Sequence, residues 1–247
     1  NSPRFVCECG TMFQEALFQT ALGVMVNRFE ILRSISMKLY IYDHCPFCVR
    51  ARMIFGLRNV AVEEVVLVND DEATPIGMIG SKQVPILQKE DGSFMGESLD
   101  IVRYIDQGRL KEEVRPEIQA WLDKVGEYNN KLVQPRMVKI GLPEFETDEA
   151  KKYFIDKKEK SIGNFETNLN KTTQYLERLH QDLAELEALV CEGEGLGGEI
   201  SLEDILTFPI LRNLTVVRGI QWPQKLMDYL LAMSERSGVA LYFDRAL

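Results

Sequence analysis

The sequence predicts a mixed α/β domain of order β-α-β-α-β-β-α followed by an all-α domain. Three observations carry this reading. Aromatic and aliphatic residues alternate from Lys38 to Tyr42, and the chain then passes through Cys45-Pro46-Phe47-Cys48 into a helical pattern. Short β-branched segments and Gly- or Asp-containing turns alternate with helical segments as far as Gln107. Beyond Pro116 the apolar residues recur at helical spacing only.

Length and composition set the outer limits. The chain has 247 residues, enough for two modest domains. A hydrophobic content of 45% supports a substantial core. The net charge of −9 argues for solubility and against a general nucleic-acid or membrane-surface role. No stretch approaches the roughly 18 apolar residues a membrane span requires. The five cysteines (Cys7, Cys9, Cys45, Cys48 and Cys191) are odd in number and irregularly spaced. That pattern does not fit a secreted disulfide framework and points to a reducing cytoplasm.

Residues 1–36 do not join the domain pattern. Met12 to Leu32 has amphipathic spacing through Phe13, Leu17, Leu22, Val26 and Phe29. The start carries only Arg4 and no clean cleavage site for a secretory signal. Met37 directly precedes the first strand, so 1–36 is read as an appended, non-native leader outside the functional argument.

In the first strand, Leu39 and Ile41 alternate with Tyr40 and Tyr42. Pro46 takes the first helical position, where its missing N–H costs nothing. Cys45 then occupies the cap, where unpaired N–H groups and the positive dipole end favour an anion. A thiolate is such an anion, so Cys45 is expected to have a lowered pKa and to act as a nucleophile. The helix runs to about Arg58, with Asn59 as a stop. Glu63–Val68 reads as a second strand, and Asn69-Asp70-Asp71 as the cap of a short helix. Gly77 and Gly80 loosen that helix into the loop Ser81-Lys82-Gln83. Val84–Gln88 reads as a third strand with Pro85 at its entry. Asp91-Gly92 turns the chain into Ser93–Met95, and Gly96-Glu97-Ser98 opens a helix through Leu99, Val102, Tyr104 and Ile105. This first domain spans 37–107, a polar linker follows over 108–115, and the helical domain covers 116–247. Within it, helices are expected from Pro116, over Asp148–Ile162, and over Asn164–Leu189, whose leucine repeat reads as core. A glycine-rich break at 193–198 precedes Ser201, an N-cap with Asp204 three residues on and Ile200 and Ile205 as a staple.

The Cys-x-x-Cys spacing alone leaves redox, zinc and purely structural readings open. Zinc needs further ligands, and Cys7-Glu8-Cys9 supplies them only if the leader folds back. His44 reads as a loop residue that tunes the local potential, because neighbours at a strand end point in opposite directions. His180 reads as solvated, Cys191 as an incidental thiol, and Asp204 as a cap with no acid catalysis.

Taken together, the strand–Cys-Pro-Phe-Cys–helix unit, Val84-Pro85 and Glu97-Ser98 resemble the thioredoxin-fold half of glutaredoxins and glutathione transferases. The helical half, with its Ser201–Asp204 cap, resembles the transferase C-terminal domain. The combination is most similar to the bacterial glutaredoxin 2 family, from Met37 to the C terminus. Phe47 departs from the commoner Tyr, which bears on substrate contacts more than on thiol chemistry. The resemblance implies a thioredoxin-like domain followed by a glutathione-transferase-like helical domain. It implies a glutathione-dependent thiol–disulfide oxidoreductase with Cys45 as nucleophile and Cys48 as resolving thiol. Pro85 is then a cis-proline that leaves the Val84 backbone for the cysteinyl part of glutathione. Glu97 and Ser98 hold its γ-glutamyl end, Arg50 meets its glycine carboxylate, and Gln83 or Lys82 adds a contact. Glutathione is the expected co-substrate, with no metal. Expected partners are glutathionylated or disulfide-containing proteins, with no nucleic acid or membrane, and the large second domain favours a monomer. Two rivals share the fold. A glutathione transferase would conjugate glutathione to electrophiles, usually helped by a Tyr or Ser near the end of the first strand, where Cys45 instead favours disulfide exchange. A non-catalytic binding protein would have no use for an intact Cys-Pro-Phe-Cys.

Overall fold

β1 (Lys38–Ile41) buries Leu39 and Ile41 completely while Lys38 and Tyr40 remain half-buried, the alternation of a strand covered on one face. It is described, like the rest of residues 36–247, in a computed structural model; the expectations for the leader fall outside these residues. β1 lies inside a sheet ordered β2-β1-β3-β4. It runs parallel to β2 (Glu63–Val66) and antiparallel to β3 (Ile86–Gln88), which pairs antiparallel with β4 (Phe94–Met95). The intervening helices are α1 (Pro46–Leu57), α2 (Ala73–Ile79) and α3 (Ser98–Asp106), giving the expected β-α-β-α-β-β-α order. Two strands are shorter than the pattern suggests. β2 ends at Val66, after which only Leu67 N–H still bonds to Ile41. β3 starts at Ile86 because Pro85 has no N–H to give the ladder. Asp71 does cap the short helix, accepting from Thr74 N–H at 3.0 Å.

The second unit comprises α4 (Pro116–Gly126), α5 (Asn129–Met137), α6 (Asp148–Ile162), α7 (Phe165–Asn170), α8 (Thr172–Ala188), α9 (Leu202–Leu214) and α10 (Gln224–Ser237). The continuous helix expected over Asn164–Leu189 is therefore two helices, broken at Lys171. Local side-chain bonding competes with the helix there. Asn168 donates to Ile162 C=O at 2.9 Å, and Thr172 donates to Leu169 C=O at 2.6 Å while accepting from Arg136. The leucine repeat is core as expected, with Leu179, Leu183 and Leu186 fully buried. His180 is not simply solvated: it is half-buried, and its Nε2 accepts from Gln221 N–H at 2.9 Å.

The capping box at α9 forms as read from the sequence, with Asp204 accepting from Ser201 N–H at 2.8 Å. Asp204 also accepts from Leu196 N–H and Tyr229 O–H, so one carboxylate ties the glycine-rich loop, α9 and α10 together. The polar segment between the units is anchored at both ends. Asp106 meets Arg58 at 2.7 Å, and Arg115 forks onto Glu203 at 2.8 Å. One apolar core runs through both units, and α1 sits at its middle, packed against α3 on one side and α9 and α10 on the other. The approach is closest at Gly56, where a Cβ would lie 1.9 Å from Ser237 C=O.

Candidate active site

Cys45 caps α1, as the sequence predicts, with Pro46 at the first helical position. Its Sγ accepts from the Cys48 N–H at 3.4 Å. Both thiols are free; Cys45 keeps 9% of its surface exposed, whereas Cys48 keeps none. The Cys45 pKa falls from an ordinary 9.0 to about 7. Hydrogen bonding by the Cys48 thiol contributes most; burial opposes it, and the His44 ring and the N–H groups of Cys48 and Phe47 add to the lowering. Cys48 moves the other way: burial and its bond to Cys45 push it well above the ordinary value. Around neutral pH Cys45 is therefore the thiol of the pair that ionises, while Cys48 keeps its proton.

Cys45 opens into a cleft of about 370 Å³ between the two units. Gln83 and Val84 line it from the sheet half, and Asn130, Gln134, Tyr153, Lys157 and Lys158 line it from α5 and α6. The Val84–Pro85 peptide is cis, as expected. Glu97 stands beside this wall, its Oε1 accepting from Gln83 Nε2 at 3.2 Å. Its backbone adopts φ 60, a left-handed conformation unusual for a side chain of this size. No side chain caps α3 behind it, so the first-turn N–H groups next to Ser98 are left to other acceptors. This differs from an ordinary helix start, where Glu97 or Ser98 would close the end itself. Arg50 does not line the cleft. Its guanidinium rests 4.7 Å over the Phe47 ring, and its buried Nε has no partner among the described residues. Lys82 donates to the Asn69 carbonyl and lies 3.9 Å over the Tyr153 ring.

The residues just before Cys45 are held by the helical half. Arg212, 1% exposed, donates to the Asp43 carbonyl and to Asp43 Oδ1, each at 2.7 Å. Tyr242 O–H bonds the same carboxylate, and Arg212 stacks 3.9 Å over the Tyr242 ring. Burial pushes the Asp43 carboxyl up, but Arg212, Arg52 and Tyr242 outweigh it and hold it at about 2. Asn213 Nδ2 donates to the His44 carbonyl at 2.7 Å. Glu144 Oε1 accepts from His44 N–H at 2.9 Å and lies 2.6 Å from His44 Nδ1. His44 is a loop residue before α1 whose ring helps lower the Cys45 pKa, as the sequence reading expects. It is buried, stacked on Phe145 at 5.1 Å and edge-on to Phe154 at 5.0 Å.

The structure brings Cys45, Gln83 and Val84 to one cleft, adds Glu97 through Gln83, and buries Cys48 directly behind Cys45. The sequence reading missed Glu144, Arg212, Asn213 and Tyr242. Arg212 had left one trace, a cation inside the apolar run Ile205–Leu214. Among the described residues, no group of three or more His, Cys, Asp or Glu side chains is placed to hold a metal ion, and no helix is long and apolar enough to cross a membrane.

Comparison with known proteins agrees with this geometry. Residues 117–246 match the family model "Glutaredoxin 2, C terminal domain", and residues 39–110 match "Glutathione S-transferase, N-terminal domain". The chain is 48% identical over 215 residues to glutaredoxin 2 of Escherichia coli strain K12, covering 85% of this chain and 100% of that one. It is 49% identical to a solved glutaredoxin 2 from Salmonella typhimurium in complex with glutathione, with a TM-score of 0.83, covering 86% of this chain and 99% of that one. A glutathione S-transferase from Rhodospirillum rubrum shares the fold alone, at 15% identity and a TM-score of 0.50, covering 81% of this chain and 86% of that one.

Proposed function

The chain belongs to the glutaredoxin 2 family and is a glutathione-dependent thiol–disulfide oxidoreductase, and we propose that Cys45 is its nucleophile and Cys48 its resolving thiol. The observation that carries this assignment is the asymmetry of the pair: Cys45 lies at the cleft with a pKa of about 7, and Cys48 is buried and protonated. The Cys45 thiolate attacks the glutathionyl sulfur of a mixed disulfide. The old S–S bond breaks, and its electron pair leaves on the partner's sulfur, which takes a proton from solvent. A second glutathione, as thiolate, attacks the Cys45–glutathione disulfide. Glutathione disulfide departs and Cys45 returns as thiolate.

Protein disulfides use Cys48. Once Cys45 is bound in a disulfide, its charge and its hydrogen bond no longer act on Cys48, and both had been pushing the Cys48 pKa up. Cys48 can then lose its proton and displace the partner, closing a Cys45–Cys48 disulfide. Such partners are glutathionylated or disulfide-bonded proteins.

Glutathione itself is read into the sheet side of the cleft. The Val84 backbone would pair with its cysteinyl part. Glu97 would meet the γ-glutamyl ammonium, and the uncapped α3 N–H groups beside Ser98 would meet the neighbouring carboxylate. Gln83 sits between these groups through its bond to Glu97. Arg50, which rests over the cleft-lining Phe47 ring without lining the cleft itself, would meet the glycine carboxylate only by reaching past that ring. Pro85 fixes the chain ahead of β3. The division at 37–107 and 116–247, a monomeric state and a cytoplasmic location complete this reading, supported by the large helical unit and by the odd number and irregular spacing of the cysteines.

The test is reduction of a glutathione mixed disulfide. Cys45→Ser abolishes turnover, whereas Cys48→Ser retains most of it and loses reduction of protein disulfides. In the wild-type protein, the alkylation rate of Cys45 rises with pH through a midpoint near 7. Undiminished turnover by Cys45→Ser would overturn the assignment.

A further inference from the structure

The cleft has a second wall with no part in the chemistry described so far. Lys157 and Lys158, on α6, line it from the helical half. The acids beside them on that helix are already engaged. Asp156 pairs with Lys152, and Glu159 Oε1 accepts from Phe165 N–H at 2.8 Å and from Asn164 at 3.2 Å. Neither Lys157 nor Lys158 forms an ion pair among the described residues, where seventeen other pairs, from Lys38–Glu63 to Arg245–Asp244, are made. Lys82 faces them across the cleft. Its nearer acids are Asp70, Asp71 and Glu72, and Glu72 is engaged by the Tyr153 hydroxyl at 2.6 Å. Burial and the neighbouring Lys157 push both Lys82 and Lys158 down from the ordinary lysine value, outweighing the opposing pull of Glu72, Asp70 and Asp71 on Lys82 and of Cys45 on Lys158. This positive wall belongs to a chain whose net charge is −9.

We propose that Lys157 and Lys158 receive carboxylate side chains that flank the glutathionylated cysteine of a protein partner, so that the enzyme prefers mixed disulfides in an acidic context. This rests on the reading that glutathione lies along the Gln83–Val84–Glu97 side. With the glutathionyl half there, the partner's half of the disulfide extends past Cys45 toward α6. An acidic partner is repelled by most of the protein's surface, and the lysine wall is the local exception. It therefore selects partners whose carboxylates fall beside the disulfide, and repulsion elsewhere disfavours other docking modes. The same lysines could instead hold a carboxylate of glutathione, and the substrates below separate the two sources.

Three glutathione mixed disulfides are compared: a peptide with Asp and Glu flanking its cysteine, the same peptide with Lys in those places, and 2-mercaptoethanol. The wild-type protein is expected to favour the acidic peptide over the basic one in kcat/KM, with the preference shrinking as salt is raised. Lys157→Glu, at an exposed position, lowers kcat/KM for the acidic peptide about threefold to fivefold, the scale of one exposed charge pair lost and reversed. It raises the value for the basic peptide and leaves the 2-mercaptoethanol substrate unchanged. An equal fall for all three substrates would assign the lysine to glutathione itself and overturn the proposal. Absence of any charge preference in the wild-type protein would overturn it as well. Cys45→Ser, assayed alongside, keeps the two readings apart: turnover surviving there removes the underlying site, whereas lost turnover there without charge preference elsewhere removes only the lysine assignment.

Discussion

The sheet half and the helical half act on Cys45 from very different distances along the chain. In the sheet half every group that tunes the sulfur is a neighbour in sequence: the Cys48 thiol and N–H, the Phe47 N–H and the His44 ring. In the helical half the contacts come from far away. Glu144 reaches His44 across 100 residues, Arg212 reaches Asp43 across 169, and Tyr242 reaches Asp43 across 199. The comparison teaches that reactivity and placement have separate origins here. The Cys48 thiol and the helix start favour a thiolate from close by in sequence, but the loop that aims this one is fixed by a second domain.

Breaking the long-range side should cost the most. Arg212→Ala leaves the Asp43 carboxylate and carbonyl without their buried cation, a loss of about 3–5 kcal/mol in unfolding free energy. Denaturant titration measures it, and a loss below about 1 kcal/mol would show that the sheet half holds its own loop. Gly56→Ala attacks the same junction sterically. Its Cβ would meet Ser237 backbone at 1.9 Å, so α1 and α10 must separate, at about 1–3 kcal/mol. An unchanged melting temperature would mean that the two helices slide apart freely.

The smallest effect is electrostatic and is read by pH. Asp43 has a folded pKa of about 2 against an ordinary 3.8, so its contribution is complete above 3.8 and is lost as pH falls through about 2. The shift corresponds to at most about 2 kcal/mol. Asp43→Asn should therefore be less stable than the parent at pH 6, with the gap closing toward pH 2. A gap that stays constant with pH would show that the Asp43 charge contributes nothing.

What the sequence disclosed follows the same division. Cys45 at a helix start, Pro46 behind it, and Ser201 with Asp204 three residues on are all short-range patterns, and all stand where they were read. Val84-Pro85 and Glu97-Ser98 were legible through their resemblance to a known family, and the cis peptide agrees with it. The clamp was not legible, because a buried cation announces that it needs an anion without saying which one. Arg212 in an apolar helix carried that announcement; Asp43 did not carry the reply. The burial of His44 was not legible for the same reason, since it depends on Glu144, Phe145 and Phe154, all supplied by the other half. The break at Lys171 escaped notice because the leucine period continues across it while Asn168 and Thr172 bond to the backbone.

The Arg212–Asp43 clamp also bears on how the enzyme is made. A chain synthesised from its N terminus presents Cys45 long before Arg212 exists, and longer still before Tyr242. The clamp on this loop can therefore form only after α9 and the segment after α10 have been made. The nascent enzyme thus acquires its reactive cysteine early and its aim late.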